Sequence, residues 1–256
     1  MHADVLDLRR FYYATRLGRV AQRVMRDAMA EYWPRIEGKT VAGFGFPVPL
    51  LRPTLGSARR VIALMPSQQG VMAWPPGKPN VSVLAPETAW PLPDGLVDRL
   101  VVLHGLETCE SPGKLLGECV RVLAPGGRIL FIVPNRSGLW ARRDATPFGV
   151  GRPYSLGQLE ALLKRHDLVA ERHRAALFMP PRETRFWLRF GPAWERVAAR
   201  ISGQIAGGLL LVEATHDLGG QPPSGLRESV RSPLEVLEGI TSGRPEPVRG
   251  RVPGQV

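Results

Sequence analysis

The sequence has few cysteines and few lysines, and it lacks any long apolar run. Its two cysteines, Cys109 and Cys119, match no metal-ligand spacing, which favours packed thiols in a reducing compartment. No apolar stretch approaches the roughly 20 residues of a transmembrane helix, and acids stand at the start of the chain where a signal peptide carries bases. We therefore expect a soluble cytoplasmic protein that makes no membrane contact.

Basic charge exceeds acidic charge, with 34 Lys and Arg against 23 Asp and Glu. Residues 136–200 alone hold 13 bases and 6 acids. Such a surplus suits an anionic small molecule, nucleic acid or an acidic protein partner. Only four of the bases are lysine, so a general arginine bias on a solvated surface explains the charge equally well. No nucleic-acid-binding module is recognisable, and binding to nucleic acid would rest on charge alone; the sequence does not indicate an oligomeric state.

Strand-like and helix-like segments alternate along the chain. Apolar residues at helical spacing predict one or two helices over residues 5–33. Short apolar runs predict seven strands, at residues 40–45, 59–66, 80–85, 97–103, 128–133, 168–178 and 208–215. Further helices are predicted at residues 112–123, after a Ser155 cap, and at 183–200. This alternation predicts an α/β fold: a doubly wound, Rossmann-like, mostly parallel seven-stranded sheet with helices on both faces.

Composition divides the chain into three parts. Residues 1–38 form a predicted N-terminal helical extension, and residues 39–218 hold the predicted sheet domain. Residues 219–256 are rich in proline and glycine and poor in large apolar side chains, which predicts a disordered tail.

Ligands of a doubly wound sheet bind beyond the carboxyl ends of its strands, near the point where strand order reverses. The candidate site residues are therefore those that end or follow each strand. They are Gly43, Phe44, Gly45, Met65, Pro66, Glu87, Thr88, Ala89, His104, Glu107, Asn135 and Arg136.

Three motifs resemble those of one enzyme superfamily. They are Trp90-Pro91-Leu92-Pro93-Asp94 before the fourth strand, His104 at its end, and Arg121-Val122-Leu123-Ala124-Pro125-Gly126-Gly127 before the fifth strand. Their order and spacing resemble the class I S-adenosylmethionine-dependent methyltransferases, of the small-molecule, type-11-like kind, over about residues 40–178. The resemblance implies an enzyme that uses S-adenosylmethionine to methylate an acceptor, with a small molecule as the expected acceptor. It also implies a cofactor site lined by Gly43, Phe44, Gly45, Met65, Pro66, Glu87, Thr88, Ala89 and His104.

Methyl transfer requires positioning of the reactants and, for some acceptors, a base. His104 is the best-placed candidate for that base, and Glu107, one helical turn later, is its candidate orienting partner. A histidine that ends a buried strand can instead serve only to satisfy a nearby backbone group.

The segment after the fifth strand mixes aromatic side chains with arginines. The resemblance implies that this segment covers the acceptor, which would suit an aromatic or anionic compound. The candidate acceptor-site residues are Asn135, Arg136, Trp140, Phe148 and Tyr154. The alternative is a loop that its aromatics pin to the sheet. A separate aromatic stripe in the late helix predicts core or a partner interface, and it comprises Phe186, Trp187, Phe190 and Trp194.

The sequence departs from the family pattern at two positions that bear on the cofactor. The glycine loop continues with Phe46 and Pro47, and Met65 stands where the family usually places an acid for the ribose hydroxyls. A thioether is a poor acceptor, so the cofactor is held differently, held weakly, or not bound. The last case gives the alternative function, a catalytically inactive methyltransferase-like protein that binds or regulates another protein. A dinucleotide-binding site fits less well, since it needs a third glycine at Val48 and the same missing acid.

Overall fold

The computed structural model describes residues 3–142, 146–182 and 207–217. Seven strands form one sheet in the order β3-β2-β1-β4-β5-β7-β6. The strands are β1 Thr40–Gly45, β2 Arg60–Pro66, β3 Ser82–Ala85, β4 Val97–Leu103, β5 Leu123–Pro134, β6 Leu168–Ala176 and β7 Leu209–His216. Neighbours from β3 to β5 pair in parallel, and β7 runs antiparallel to both β5 and β6. The predicted doubly wound, mostly parallel sheet is confirmed.

Helices cover both faces of the sheet. They are α1 Val5–Ala14, α2 Arg16–Tyr32, α3 Val48–Leu51, α4 Pro112–Val122 and α5 Leu156–Lys164. As predicted, the Ser155 hydroxyl caps α5, where it accepts a hydrogen bond from the amide of Gln158. In the described ranges no helix is both long enough and apolar enough to span a bilayer. The predicted helix 183–200 with its aromatic stripe and the predicted disordered tail 219–256 lie outside the described residues.

Alternation along the strands separates two apolar cores. Val41 faces the core that contains α1, α2 and α3, whereas Ala42 and Phe44 face the core that contains α4 and α5. Because successive side chains of a strand point to opposite faces, the sequence parity of a residue decides which core it joins. The site described below lies on the α1 side.

A tight helical hairpin sets the position of α1. Thr15 caps α2 by accepting a 2.9 Å hydrogen bond from the amide of Gly18. A Cβ atom on Gly18 would lie 2.0 Å from the carbonyl oxygen of Phe11, so only glycine permits the two helices to approach this closely. The hairpin therefore holds the last turns of α1, including Tyr12, against the sheet.

Arg121 ties together the segments before and after β4. Its guanidinium bonds to Glu118 on α4 and to Asp94, and it also donates to the carbonyl oxygens of Trp90 and Leu92. The proline-rich turn and the Arg-Val-Leu motif of the sequence are thus two halves of one structural clip. This contact explains why the two motifs occur together.

We expect Arg121→Ala to lower the free energy of unfolding by about 1–2 kcal/mol, since two backbone carbonyls and two carboxylates lose their donor. Hydrogen bonding to Arg121 lowers the pKa of Glu118. The contribution of that ion pair is therefore present above the unfolded pKa, about 4.3, and is lost as pH falls through the lower folded value. Thermal melts at about pH 7 and about pH 3.5 should show the difference from wild type narrowing in acid. The exposed Arg23→Ala is the control, and equal melting temperatures for the two variants would contradict the clip.

The boundaries of α4 and β5 differ slightly from the prediction. The helix ends at Val122, and β5 begins at Leu123, which pairs with Val97. The Pro-Gly-Gly sequence therefore lies within the strand, where Gly126 has a φ of 71° and the pairing register shifts before Arg128. The expected turn between helix and strand is therefore replaced by an irregularity in the pairing of β5, which the positive φ of glycine permits.

Candidate active site

The site lies at the carboxyl ends of β1 and β4, the two neighbouring strands at which strand order reverses. The glycine turn after β1 is fixed to the end of β4. Gly45 has a φ of 92°, and a Cβ atom there would lie 2.1 Å from the carbonyl oxygen of Leu103. The same oxygen accepts a 2.7 Å hydrogen bond from the amide of Phe46. The close contact explains the requirement for glycine at position 45.

The space in front of Gly43 is filled by the protein itself. A Cβ atom on Gly43 would lie 2.3 Å from the Cβ of Pro47. The turn is therefore folded back on its own strand, and the proline that departs from the family pattern packs where a larger residue at position 43 would lie. Gly45 contributes backbone to the site, and Gly43 provides room for Pro47.

His104 lies just beyond β4 and is 2% exposed. Its φ of 54° is left-handed, which is uncommon for a residue other than glycine and marks local strain. Its Nε2 lies 2.7 Å from the hydroxyl of Tyr12, and its Nδ1 lies 3.2 Å from Oε1 of Glu107. We assign the imidazole proton to Nδ1, which faces the carboxylate, so that Nε2 accepts from the phenol.

Glu107 carries a buried carboxylate. The residue is 2% exposed, and within the described part of the chain neither carboxylate oxygen receives a hydrogen bond. Its one described ionic contact is with His104. A desolvated carboxylate in this condition favours a bound cationic group beside it.

Tyr12 completes the buried group from α1. Its side chain is fully buried, and its ring stacks on Phe46 with 5.8 Å between ring centroids. Burial, and secondarily the charge of Glu107, raise the pKa of the Tyr12 phenol well above its ordinary value. The phenol is therefore protonated at neutral pH and able to donate to His104. Nothing in the apolar stripe of α1 distinguished this tyrosine as a site residue.

Aromatic residues from the segment after β5 cover the group. The ring of Phe148 lies 4.8 Å from that of His104, and Trp140 packs edge-on to Phe148 at 5.5 Å. The indole nitrogen of Trp140 donates to the carbonyl oxygen of Met179 over 2.7 Å, which fixes the cover to the chain beyond β6. The cover therefore excludes water from His104.

Both ends of the covering segment are pinned. Asn135 is buried and donates from its side-chain amide to the carbonyl oxygen of Gly207 over 2.8 Å, and it forms a parallel bridge with Tyr154. The amide of Arg152 donates over 2.7 Å to the carbonyl oxygen of Glu107. Burial, and then the charge of Glu107, raise the pKa of Tyr154 to about 12. Arg136, by contrast, lies at the surface.

Other predicted residues lie away from this group. The ring of Phe44 stacks on Trp90 in the opposite core, at 4.9 Å. Glu87 accepts from the thiol of Cys109 and from the amide of Glu110, and Thr88 and Ala89 are exposed. Burial and the bond to Glu87 raise the pKa of the Cys109 thiol to about 12. These residues connect β3 to the segment after β4.

The end of β2 presents an apolar side chain and a buried amide. Met65 is fully buried in the core on the α1 side, and Pro66 is buried beside it. The carboxamide of Gln69, which is 2% exposed, donates over 3.1 Å to the carbonyl oxygen of Gly45. The sequence interpretation missed Gln69, which lies four residues after the position where the family usually has its acid.

Comparisons with known proteins agree with this architecture. Residues 41–131 match the sequence model of a family described as a methyltransferase domain. Over 117 residues the chain is 35% identical to a probable S-adenosylmethionine-dependent methyltransferase of Mycolicibacterium smegmatis, which covers 44% of this chain and 45% of that protein. The chain thus spans about half the length of this curated relative.

Solved structures share the fold at low identity. A methyltransferase from Thermotoga maritima, described as a possible histamine N-methyltransferase, superposes with a TM-score of 0.51 at 16% identity, over 77% of this chain and 92% of that chain. One from Archaeoglobus fulgidus gives 0.53 at 15% identity, over 75% and 93%. Residues 41–131 thus match a methyltransferase domain, and the described sheet has the fold of S-adenosylmethionine-dependent methyltransferases.

Proposed function

We propose that this protein transfers a methyl group from S-adenosylmethionine to a small-molecule acceptor at the carboxyl ends of β1 and β4. The observation that carries the proposal is the buried pair of His104 and Glu107, 3.2 Å apart at the reversal point of a methyltransferase-type sheet. A desolvated histidine held by a carboxylate is a suitable group for accepting a proton.

The described residues suit the charged end of the cofactor. S-adenosylmethionine carries a positively charged sulfonium and an ammonium group, and the buried carboxylate of Glu107 has His104 as its one described ionic partner. The backbone of the Gly45 turn would support the same end. The end of β2 offers no carboxylate for the ribose, because Met65 is there. The fit therefore rests on Gly45, His104 and Glu107.

The cofactor supplies an electrophilic methyl group when it is bound. The chain supplies position and proton transfer: Glu107 keeps the proton of His104 on Nδ1, and Nε2 remains able to accept another. As Nε2 becomes protonated, the carboxylate stabilises the imidazolium. The aromatic cover keeps water away from the reacting atoms, which strengthens this interaction by lowering the local dielectric constant.

Calorimetric titration with S-adenosylmethionine and S-adenosylhomocysteine tests the proposal. We expect micromolar affinity for the wild-type protein. Glu107→Gln should weaken binding of S-adenosylmethionine about tenfold more than binding of S-adenosylhomocysteine, since only the former carries the sulfonium charge. Glu110→Gln, the same change at an exposed acid three residues away, should leave both affinities unchanged.

Absence of binding of either ligand at millimolar concentration would overturn the enzyme assignment. The alternative would then be a methyltransferase-like protein that binds another protein. If Glu107→Gln weakened the affinities for the two ligands by the same factor, the role given to the carboxylate would be contradicted.

A further inference from the structure

We propose that Tyr12 is a catalytic residue, whose hydroxyl contacts a neutral aromatic acceptor bearing an O–H group and relays its proton to Nε2 of His104. This inference rests on the proposed function and adds to it a residue from α1 and a class of acceptor. The Nε2 atom that must accept the proton is already hydrogen-bonded to the Tyr12 hydroxyl, at 2.7 Å, so an acceptor cannot contact it directly.

Tyr12 is held too firmly for simple displacement from His104. Its ring contacts those of Phe11, Phe46, His104 and Phe148, with centroids 5.0 to 6.4 Å apart. The capped hairpin of α1 and α2 fixes its backbone. An acceptor therefore reaches the base through the phenol, and a proton relay avoids the need to move α1.

The hydroxyl of Tyr12 has the capacity for this step. A phenol donates one hydrogen bond and accepts others, and the one hydrogen bond described for Tyr12 is that with His104. The phenol oxygen can thus accept a hydrogen bond from an acceptor O–H group while its own proton points at Nε2. In this series of hydrogen bonds the Tyr12 oxygen accepts from the substrate, Nε2 of His104 accepts from Tyr12, and the Glu107 carboxylate faces the proton on Nδ1.

The acceptor proton moves to the Tyr12 oxygen as the Tyr12 proton moves to Nε2. The electron pair released on the acceptor oxygen forms the bond to the methyl carbon, and the bond from that carbon to sulfur breaks with its electrons on sulfur. The products are a methyl ether, S-adenosylhomocysteine and an imidazolium paired with Glu107.

The surroundings of the relay define the acceptor class. Aromatic rings pack against Tyr12 and His104, and among the described residues the ionic partner of His104 is the carboxylate of Glu107. An anionic acceptor would bind more weakly than a neutral one beside that carboxylate, because the candidate Arg136 lies at the surface; kcat at saturation is therefore the quantity that compares the two kinds of acceptor. A flat neutral ring with a hydroxyl group, a phenol, suits this lining. For it to enter, Phe148 must move aside while the pinned ends of the cover remain.

Two phenols of different acidity provide the test, with methyl transfer from labelled S-adenosylmethionine measured at about pH 8.5. Phenol itself, with a pKa near that of tyrosine, about 10, needs a base at this pH. The nitro group makes 4-nitrophenol largely ionised at the same pH, so it needs none. We expect Tyr12→Phe to lower kcat for phenol about 10²- to 10⁴-fold and kcat for 4-nitrophenol less than about fivefold.

Controls separate the possible failures. Tyr13→Phe removes the neighbouring hydroxyl of α1 and should leave both rates unchanged, and melting temperatures establish that each variant folds. If Tyr12→Phe lowered kcat by the same factor for the two phenols, Tyr12 would have a structural role and the proton relay would be overturned. No turnover of either phenol by wild-type protein that binds S-adenosylmethionine would overturn the acceptor class. Failure of that binding would overturn the proposed function itself.

Discussion

His104→Asn is expected to lower kcat for phenol methylation about 10²- to 10⁴-fold, because the variant has no group that can take the proton. Asparagine is the suitable replacement, since it tolerates the left-handed backbone that position 104 requires at a φ of 54°. The fold should therefore persist. A loss of about 1–3 kcal/mol in the free energy of unfolding is expected, because the buried Tyr12 hydroxyl loses its partner.

The measurement is steady-state methyl transfer, with affinity for S-adenosylhomocysteine measured in parallel. His216→Asn, the same substitution at a half-buried position at the end of β7, is the matched control. An unchanged kcat in His104→Asn would contradict its role as the base. A loss of all ligand binding in a folded variant would indicate instead that His104 is needed to hold the cofactor.

The second large effect is expected from Gly45→Val, which should destabilise the whole domain. A φ of 92° costs a β-branched residue about 1–3 kcal/mol, and the added Cβ would also lie 2.1 Å from a backbone oxygen. Because a backbone oxygen of β4 cannot turn aside as a side chain can, we expect a total cost above about 3 kcal/mol. For a domain of this size a cost of about 3 kcal/mol corresponds to a fall in melting temperature of about 6–12 °C.

Thermal denaturation followed by circular dichroism would measure this effect. Gly56→Val is the matched control, since a Cβ atom there would meet nothing within 4 Å and the residue is exposed. A Gly45→Val variant that melts within about 2 °C of that control would contradict the close contact between the glycine turn and β4.

The sheet could be predicted because buried strands appear in the sequence as short runs of apolar residues. Residues 100–103 of β4 are covered on both faces and therefore appear as a continuous apolar run, Leu-Val-Val-Leu. The start of β5 was harder to predict. Pro125 and Gly126 indicate the end of a helix, and nothing local shows that Leu123 already pairs with a neighbouring strand.

The site could be predicted in part, and the omissions have a physical reason. The rule that ligands bind at strand ends located His104 and Glu107, which the structure brings together. Phe44 was grouped with its glycine neighbours, although strand alternation sends its ring to the opposite core. Tyr12 is 92 residues from His104 in sequence. Helical periodicity predicts that such a tyrosine is buried but not which distant residue it contacts.

Glu107 contacts the site through its side chain and the covering segment through its backbone. Its carboxylate faces His104, and its backbone carbonyl accepts the amide of Arg152 in the covering segment. A Cβ atom on the neighbouring Gly151 would lie 2.4 Å from that carbonyl oxygen, so the segment is in close contact with it. If this segment moved away from Glu107, the bond between the Arg152 amide and the Glu107 carbonyl would break, so the positions of the segment and of the carboxylate would be thermodynamically linked. A ligand that prefers the carboxylate in place would then favour the closed segment, and the closed segment would raise the affinity for that ligand by the same factor.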